Sequence, residues 1–163
     1  MLGNFPTRQQ GCGFSPGDSG KLAHDPESVG VTAGDAGGIP MGSCLAQAGG
    51  PSLSFPSSFA LNMGRAGSDL ALHFNPRFES HGDTCIIICN SLQGGEWGQE
   101  QREPDFPFQQ GQDAKICISF DDQELTLALP GEQQLKFPNR LGLEAIEFFS
   151  VEGDFRVKSI KFK

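Results

Sequence analysis

Apolar and polar residues alternate in short runs along the part of the chain that follows residue 54. The runs are separated by turn-forming residues at intervals of roughly 8 to 12 residues, a spacing that is typical of antiparallel sandwiches and barrels. They include LALHFNPRF, TCIIICNS, AKICISFD, ELTLALP and DFRVKSIKF. Because no stretch carries a long amphipathic helical stripe, the pattern predicts an all-β fold.

Three consecutive runs show which of their sides faces the core. Alternate residues of a strand point to the same side of a sheet, so apolar residues at every second position identify the buried face. On this basis the predicted core positions are Ala114, Ile116, Ile118 and Phe120, then Leu125, Leu127 and Leu129, and, after the turn PGE, Leu135 and Phe137.

Residues 1–54 have a different texture from the rest of the chain. They are rich in Gly, Pro and Ser and show neither the helical nor the strand period. Such a segment buries too little apolar surface to offset the entropy that ordering would cost. We therefore expect a low-complexity, disordered leader over residues 1–54, followed by one domain over residues 55–163.

The segment HFNPRF at residues 73–78 has two unlike faces when it forms a strand. His73, Asn75 and Arg77 point to one side, whereas Phe74 and Phe78 point to the other. The aromatic side belongs to the core. The other side presents long hydrogen-bonding groups, and this arrangement predicts a surface that holds a polar ligand.

Further polar residues follow in the next two runs. Asn90 closes the otherwise apolar strand CIIICNS, and Glu100 and Arg102, ten and twelve residues further on, share a face. Trp97, the sole tryptophan, is out of phase with that pair, but a bulge or bend at Gly98 would turn its indole toward the same face. Planar donors and acceptors beside an exposed aromatic ring suit a sugar, whose hydroxyls form hydrogen bonds and whose C–H-rich face stacks on the ring.

The charge and the hydropathy exclude several classes of protein. A formal net charge of −8 and a pI near 4.7 lack the basic surface that nucleic acid or an anionic membrane requires. No apolar run reaches the roughly 18 residues of a membrane span, and no signal peptide is visible near the start. We expect synthesis in the cytosol, with neither nucleic acid nor membrane insertion.

The cysteines favour free thiols. Five are present, an odd number without a CxxC pair or paired histidines, which argues against a complete disulfide set and against a zinc site. In a reducing compartment we expect reduced cysteines, with Cys85, Cys89 and Cys117 packed as small apolar groups. No metal and no other cofactor is predicted.

The motifs HFNPRF, CNS and WGQEQRE, together with the trailing FPNRLGLEAIEFFSVEGDFRVKSIKF, resemble the galectins, in particular the prototype kind with a single carbohydrate-recognition domain. The likeness covers roughly residues 57–163. It implies a jelly-roll-like β-sandwich of the galectin and concanavalin type, without enzymatic activity, that binds β-galactosides such as lactose and N-acetyllactosamine.

The resemblance also implies a role for the first group of site residues. His73, Asn75 and Arg77 would bind the 4-hydroxyl of galactose, and the last two would also approach the ring oxygen. Trp97 would stack under the sugar ring.

The second group of residues would contact the rest of the disaccharide. Asn90 and Glu100 would bind the 6-hydroxyl, and Glu100 with Arg102 would reach the adjoining glucose or N-acetylglucosamine. His81 matches a position at the rim of the cleft in some family members.

Partners and localisation are implied in the same way. The expected ligands are β-galactoside glycans on glycoproteins or glycolipids, and a homodimer is left open because the edge strands expected before residue 55 are missing. The family resemblance implies a cytoplasmic protein that is also exported without a signal peptide.

Two other functions compete with the lectin. A glycosidase would use two of Glu96, Glu100 and Glu103, but the cations beside Glu100 would lower its pKa rather than raise it. A calcium lectin would need a cluster of oxygen ligands that the sequence lacks.

The more serious alternative arises where the sequence departs from the galectin pattern. The KPG-like turn and LxVxG-like strand expected before SFALNMG are replaced by the leader, and only Leu53 and Phe55 offer a short substitute strand. The alternative is a non-lectin interaction, or a poorly folded variant of a galectin that lacks its first strands.

Overall fold

The computed structural model describes residues 29–32, 47–48, 57–153, 155 and 157–160. It contains thirteen strands in these residues and one short 3₁₀ helix, Pro130–Glu132. The strands, in chain order from β1 to β13, are Val29–Thr32, Gln47–Ala48, Phe59–Ala66, Asp69–Ser80, Asp83–Gln93, Glu96–Trp97, Gln101–Glu103, Ala114–Lys115, Cys117–Phe120, Glu124–Ala128, Gln134–Pro138, Phe148–Gly153 and Val157–Ser159. Among the described residues, no helix has the length and apolarity to cross a membrane.

The strands form an antiparallel sandwich, as predicted. One layer is a seven-stranded sheet in the order β1-β12-β3-β4-β5-β6, in which β7 also pairs with β5. The opposite layer contains two three-stranded groups, β13-β2-β8 and β11-β10-β9. Because only Ile116 separates β8 from β9, these two groups share one stretch of chain.

The core lies between the two layers and uses the predicted faces. Phe74 of β4 and Ile87 of β5 are completely buried, as are Leu127 and Phe137 from the opposite layer. Burying one such side chain contributes about 1.5–3 kcal/mol, so their mutual burial holds the layers together. All of the core positions predicted from alternation after residue 115 are buried: Ile116, Ile118, Phe120, Leu125, Leu127, Leu129, Leu135 and Phe137.

Two short strands come from the segment predicted to be a leader. Val29–Thr32 pairs with β12 at the edge of the larger sheet, and Gln47–Ala48 lies between β13 and β8 in the opposite layer. Leu53 and Phe55, the proposed substitute strand, lie outside the described residues. The boundary near residue 54 and the disorder of the leader therefore stay predictions.

The prediction of free thiols holds for two cysteines and is wrong for a third. Cys89 and Cys117 are free, and burial raises the pKa of the Cys89 thiol to about 12, so it is protonated and unreactive at neutral pH. Cys85 is disulfide-bonded. The odd count of cysteines excluded only a complete set of pairs, not a single pair. Cys12 and Cys44 lie outside the described residues.

Candidate functional site

The polar face of HFNPRF lies at the centre of the larger sheet. Antiparallel pairing sets each of its polar side chains beside a residue of β5: His73 beside Asn90, Asn75 beside Ile88, and Arg77 beside Ile86. On the reverse face Phe74 is completely buried in the core. The two unlike faces predicted from the sequence are confirmed, and β5 adds the amide of Asn90 to the polar one.

Trp97 reaches this face through a tight hairpin and a bulge. β5 and β6 are joined by Gly94 and Gly95, both with positive φ (59° and 83°), as a two-residue primed turn requires. Leu92 pairs with Trp97, and continued pairing would set Cys89 opposite Glu100, but Cys89 instead faces a residue one position further along, at the start of β7. The intervening segment contains Gly98, so the bulge that the sequence suggested is present.

The side chain of Trp97 is the exposed large hydrophobic group of the described residues, with 55% of its surface accessible. Its ring centroid lies 5.0 Å from that of His73 at an interplanar angle of 62°, an edge-to-face contact. The indole therefore borders the polar face without being covered by it. A ring in this position can stack on the apolar face of a ligand while polar neighbours bind its rim.

An open groove of about 620 Å³ runs across this part of the sheet. Six of the seven predicted site residues line it, namely His73, Asn75, Arg77, Asn90, Trp97 and Glu100, and His81 lines it as well. Arg102 does not line the groove, but its Nη1 donates to Glu100 Oε2 at 2.8 Å. The structure thus brings six of the predicted residues together, and the seventh, Arg102, contacts one of them.

Arg77 and Arg102 are held by a carboxylate that sequence reasoning missed. Asp83 Oδ2 accepts a hydrogen bond from Arg77 Nη1 at 2.6 Å, and its Oδ1 forms an ion pair with Arg102. The hydrogen bond from Arg77 and the positive charge of Arg102 lower the pKa of Asp83. Asp83 immediately follows the β4–β5 turn, and an acidic residue so close in sequence to Arg77 was the available indication of its role.

Asn75 is fixed from both sides. Its Nδ2 donates to the main-chain carbonyl of Phe59 at 2.7 Å, and its Oδ1 accepts from Arg77 Nε at 2.9 Å. The side chain is buried, so these bonds are protected from competition with solvent. Arg77 is consequently oriented through both its Nε and its Nη1, and a guanidinium held in this way is preorganised for a ligand.

Arg140 is a second residue that sequence reasoning missed. From the turn after β11 its Nη1 donates to the carbonyl of Gln99 at 2.8 Å and to Ser91 Oγ at 3.2 Å, while its guanidinium lies 4.6 Å from the Phe137 ring centroid. It ties the segment after Trp97 to β5. No local motif indicated this role, because Arg140 is remote in sequence from the residues that it joins.

His73 is uncharged at neutral pH. Burial, reinforced by the positive charge of Arg77 and opposed by Glu100, lowers the pKa of His73 to about 4. A neutral imidazole has one donor and one acceptor nitrogen. Within the described residues no group of three or more His, Cys, Asp or Glu side chains is arranged to hold a metal ion.

The chain is similar to galactoside-binding proteins over most of its length. The family model described as "Galactoside-binding lectin" matches residues 32–162. The chain is 53% identical to the 16 kDa beta-galactoside-binding lectin of Gallus gallus over 113 residues. The aligned residues cover 69% of this chain and 84% of the relative. The chain is 48% identical over 122 residues to galectin-1 of Mus musculus, covering 75% of this chain and 90% of the relative.

The solved structures that resemble this chain indicate the same family as the sequence relatives. CG-16, a homodimeric agglutinin from chicken liver, superposes with a TM-score of 0.76 at 47% identity and covers 84% of this chain and 100% of its own. A toad ovary galectin in complex with thio-digalactose gives a TM-score of 0.75 at 37% identity and covers 83% and 98% of the two chains.

An antiparallel sandwich of this topology, with these relatives, defines a lectin without enzymatic activity. The chain belongs to the galactoside-binding lectin family, the galectins, and within it resembles the galectin-1-like prototype members.

Proposed function

We propose that this chain binds β-galactosides of the lactose and N-acetyllactosamine type in the groove beside Trp97, without a metal ion. The observation that carries the proposal is the convergence of an imidazole, two amides and a guanidinium on one open groove that ends at an exposed indole. Hydroxyls need donors and acceptors in fixed positions, and the apolar face of a sugar ring needs an aromatic surface.

The proposed roles divide along the groove. His73, Asn75 and Arg77 bind the galactose 4-hydroxyl, the last two close to the ring oxygen, and Trp97 stacks under the ring. The geometry supports this assignment because Arg77 and Asn75 orient each other at 2.9 Å.

The other three residues bind the remainder of the disaccharide. Asn90 and Glu100 take the 6-hydroxyl, and Glu100 with Arg102 reaches the adjoining glucose or N-acetylglucosamine. Since Arg102 pairs with Glu100 and with Asp83, it also holds the Glu100 carboxylate at the groove. Because the Glu100 carboxylate is paired with Arg102, it is a poor candidate for the acid of a glycosidase.

The proposed ligands are clustered glycans on glycoproteins or glycolipids. Five or six hydrogen bonds of about 0.5–1.5 kcal/mol each and one stack of about 1 kcal/mol, less the cost of association, give millimolar to micromolar affinity for one site. Joined sites bind clustered glycans more tightly through effective concentration. CG-16 is homodimeric, and a homodimer of this chain stays a prediction. So do its cytoplasmic location and its export without a signal peptide.

Lactose-affinity chromatography of the full chain tests the proposal. We expect retention and elution by free lactose, and we expect Trp97→Ala and Arg77→Ala to abolish retention while the circular dichroism spectrum stays unchanged. Arg65→Ala is the matched control, because Arg65 is exposed and does not line the groove. A soluble wild-type chain that passes through the column would favour the non-lectin alternative, and an aggregated one would favour the poorly folded variant.

A further inference from the structure

Asn62 is the neighbour of His73 on the adjacent strand, and it was not among the predicted site residues. The two residues are paired in register across β3 and β4, and Asn62 Oδ1 lies 2.6 Å from His73 Nδ1. On its other side, Asn62 Nδ2 lies 3.1 Å from Ser150 Oγ and 3.1 Å from Glu152 Oε1, both on β12. Asn62 and Ser150 are buried, and Glu152 borders the groove.

The Glu152 contact fixes which end of the Asn62 amide faces the histidine. An ionised carboxylate only accepts hydrogen bonds, so the amide must direct its NH₂ group toward Glu152. Its carbonyl oxygen then points to His73 Nδ1. Since a carbonyl oxygen also only accepts, the proton between these two residues must be carried by His73 Nδ1.

The second ring nitrogen is left for the groove. Within the described residues Nε2 of His73 has no hydrogen-bond partner, and no buried side-chain nitrogen or oxygen lacks one. Nε2 is therefore open to the solvent of the groove that His73 lines. In a neutral imidazole protonated at Nδ1, that nitrogen carries a lone pair and accepts a hydrogen bond.

We infer that Asn62 and Glu152 are positioning residues that hold His73 in the Nδ1–H tautomer, so that the groove presents a hydrogen-bond acceptor at Nε2 beside the donors of Arg77. The inference rests on the proposed function only for the identity of the ligand group. A hydroxyl suits this pair, because its oxygen accepts from Arg77 while its proton is donated to His73. An ether or a carbonyl at the same place would leave Nε2 without a donor.

Long-range ¹H–¹⁵N correlation NMR of the free wild-type protein at neutral pH tests the tautomer directly. We expect the Nδ1 resonance of His73 in the range of a protonated nitrogen and the Nε2 resonance in the range of an unprotonated one, with assignment by the loss of both signals in His73→Gln. A protonated Nε2 in the wild type would overturn the inference.

Glu152→Gln tests the part played by the carboxylate. A glutamine can donate or accept, so the Asn62 amide is free to reverse, and we expect a mixture of His73 tautomers and about three- to ten-fold weaker lactose binding. Glu144→Gln is the matched control, because Glu144 is exposed and outside the groove. An unchanged tautomer and unchanged affinity in Glu152→Gln, as in the control, would overturn the positioning role.

The two proposals fail in distinguishable ways because the tautomer is measured without ligand. A chain protonated at Nδ1 that does not bind lactose would support the tautomer assignment and overturn the proposed function. A chain that binds lactose but carries the proton on Nε2 of His73 would support the proposed function and overturn the tautomer assignment.

Discussion

Asp83 Oδ2 lies 2.6 Å from Arg77 Nη1, and both side chains are largely buried, with 20% and 15% of their surfaces accessible. The other oxygen of Asp83 pairs with Arg102, so a single carboxylate aligns both guanidinium groups of the proposed site. Arg77 and Arg102 lie on different strands, and Asp83 contacts both of them. The position of Asp83 after the β4–β5 turn is what couples them.

Asp83→Asn should therefore weaken lactose binding without unfolding the protein. The asparagine amide keeps the shape of the side chain but loses the charge-assisted bonds to both arginines, so we expect roughly ten-fold weaker binding by isothermal titration calorimetry. Asp122→Asn is the control, because Asp122 is exposed and outside the groove. If Asp83→Asn bound lactose with wild-type affinity, Arg77 would not depend on the Asp83 carboxylate for its position.

Lactose should change the fluorescence of the protein, because Trp97 is its sole tryptophan and is exposed at the groove. A sugar stacked on the indole removes it from water, so we expect a blue-shifted emission maximum that saturates with lactose concentration. Sucrose, which contains no galactose, should cause no shift. If the protein binds lactose but its emission is unchanged, the sugar ring does not stack on Trp97.

Stability should fall between about pH 6.5 and about pH 4 because of His73. Its pKa is about 4 in the folded protein, whereas an unfolded histidine titrates near 6.5. Between these values the unfolded chain binds the extra proton, so the free energy of unfolding decreases as the pH falls. The loss is on the order of 3 kcal/mol for this group. Asp83, whose pKa is lowered below 3.8, loses its own contribution only at more acidic pH.

Urea unfolding at a series of pH values measures this dependence. The decrease in the free energy of unfolding between about pH 6.5 and about pH 4 should be smaller in His73→Gln than in the wild type, because the variant has no imidazole at this position to protonate. Equal slopes in the two proteins would contradict the assignment of a strongly lowered pKa to His73.

Arg140→Met should weaken lactose binding although Arg140 does not line the proposed sugar groove. The substitution removes the bond to the Gln99 carbonyl and frees the segment that carries Trp97 and Glu100, and we expect about five- to twenty-fold weaker binding. The fluorescence anisotropy of Trp97 in the free protein should decrease, which a loss of direct sugar contact would not cause. Arg65→Met is the matched control, and an unaltered anisotropy in Arg140→Met would argue against a positioning role.

Gly64→Ala should destabilise the fold. A Cβ atom at this position would lie 2.0 Å from the Asp69 carbonyl oxygen and 2.7 Å from the Leu70 Cα, so the backbone of β3 and β4 would have to move. We expect a loss of about 1–3 kcal/mol in chemical unfolding. Gly67→Ala is the matched control in the same hairpin, since its nearest neighbour would be a Phe148 ring atom at an ordinary 3.8 Å. Equal stabilities of the two variants would contradict the close approach at Gly64.

The sequence predicted most of the groove because strand periodicity is a local property. Alternation in HFNPRF separates His73 from Phe74 whatever the rest of the chain does, and β4 and β5 have those faces in the structure. Alternation could not predict the roles of Asn62, Asp83 or Arg140 at the site. Their roles depend on which strands are neighbours and on where loops end, and neither is encoded within a short window of residues.

Composition and alternation alone determined that this chain is all-β and has one polar strand face, because the alternation of side chains along a strand does not depend on which strand pairs with it. Only the tertiary structure decided which residues support that face. These are the one-residue bulge that brings Trp97 to the groove, the carboxylate of Asp83 that joins Arg77 to Arg102, and the amide of Asn62 that orients His73. The physical reason is distance in sequence, since hydrogen bonds across neighbouring strands and loops form only after the sheet has set their register.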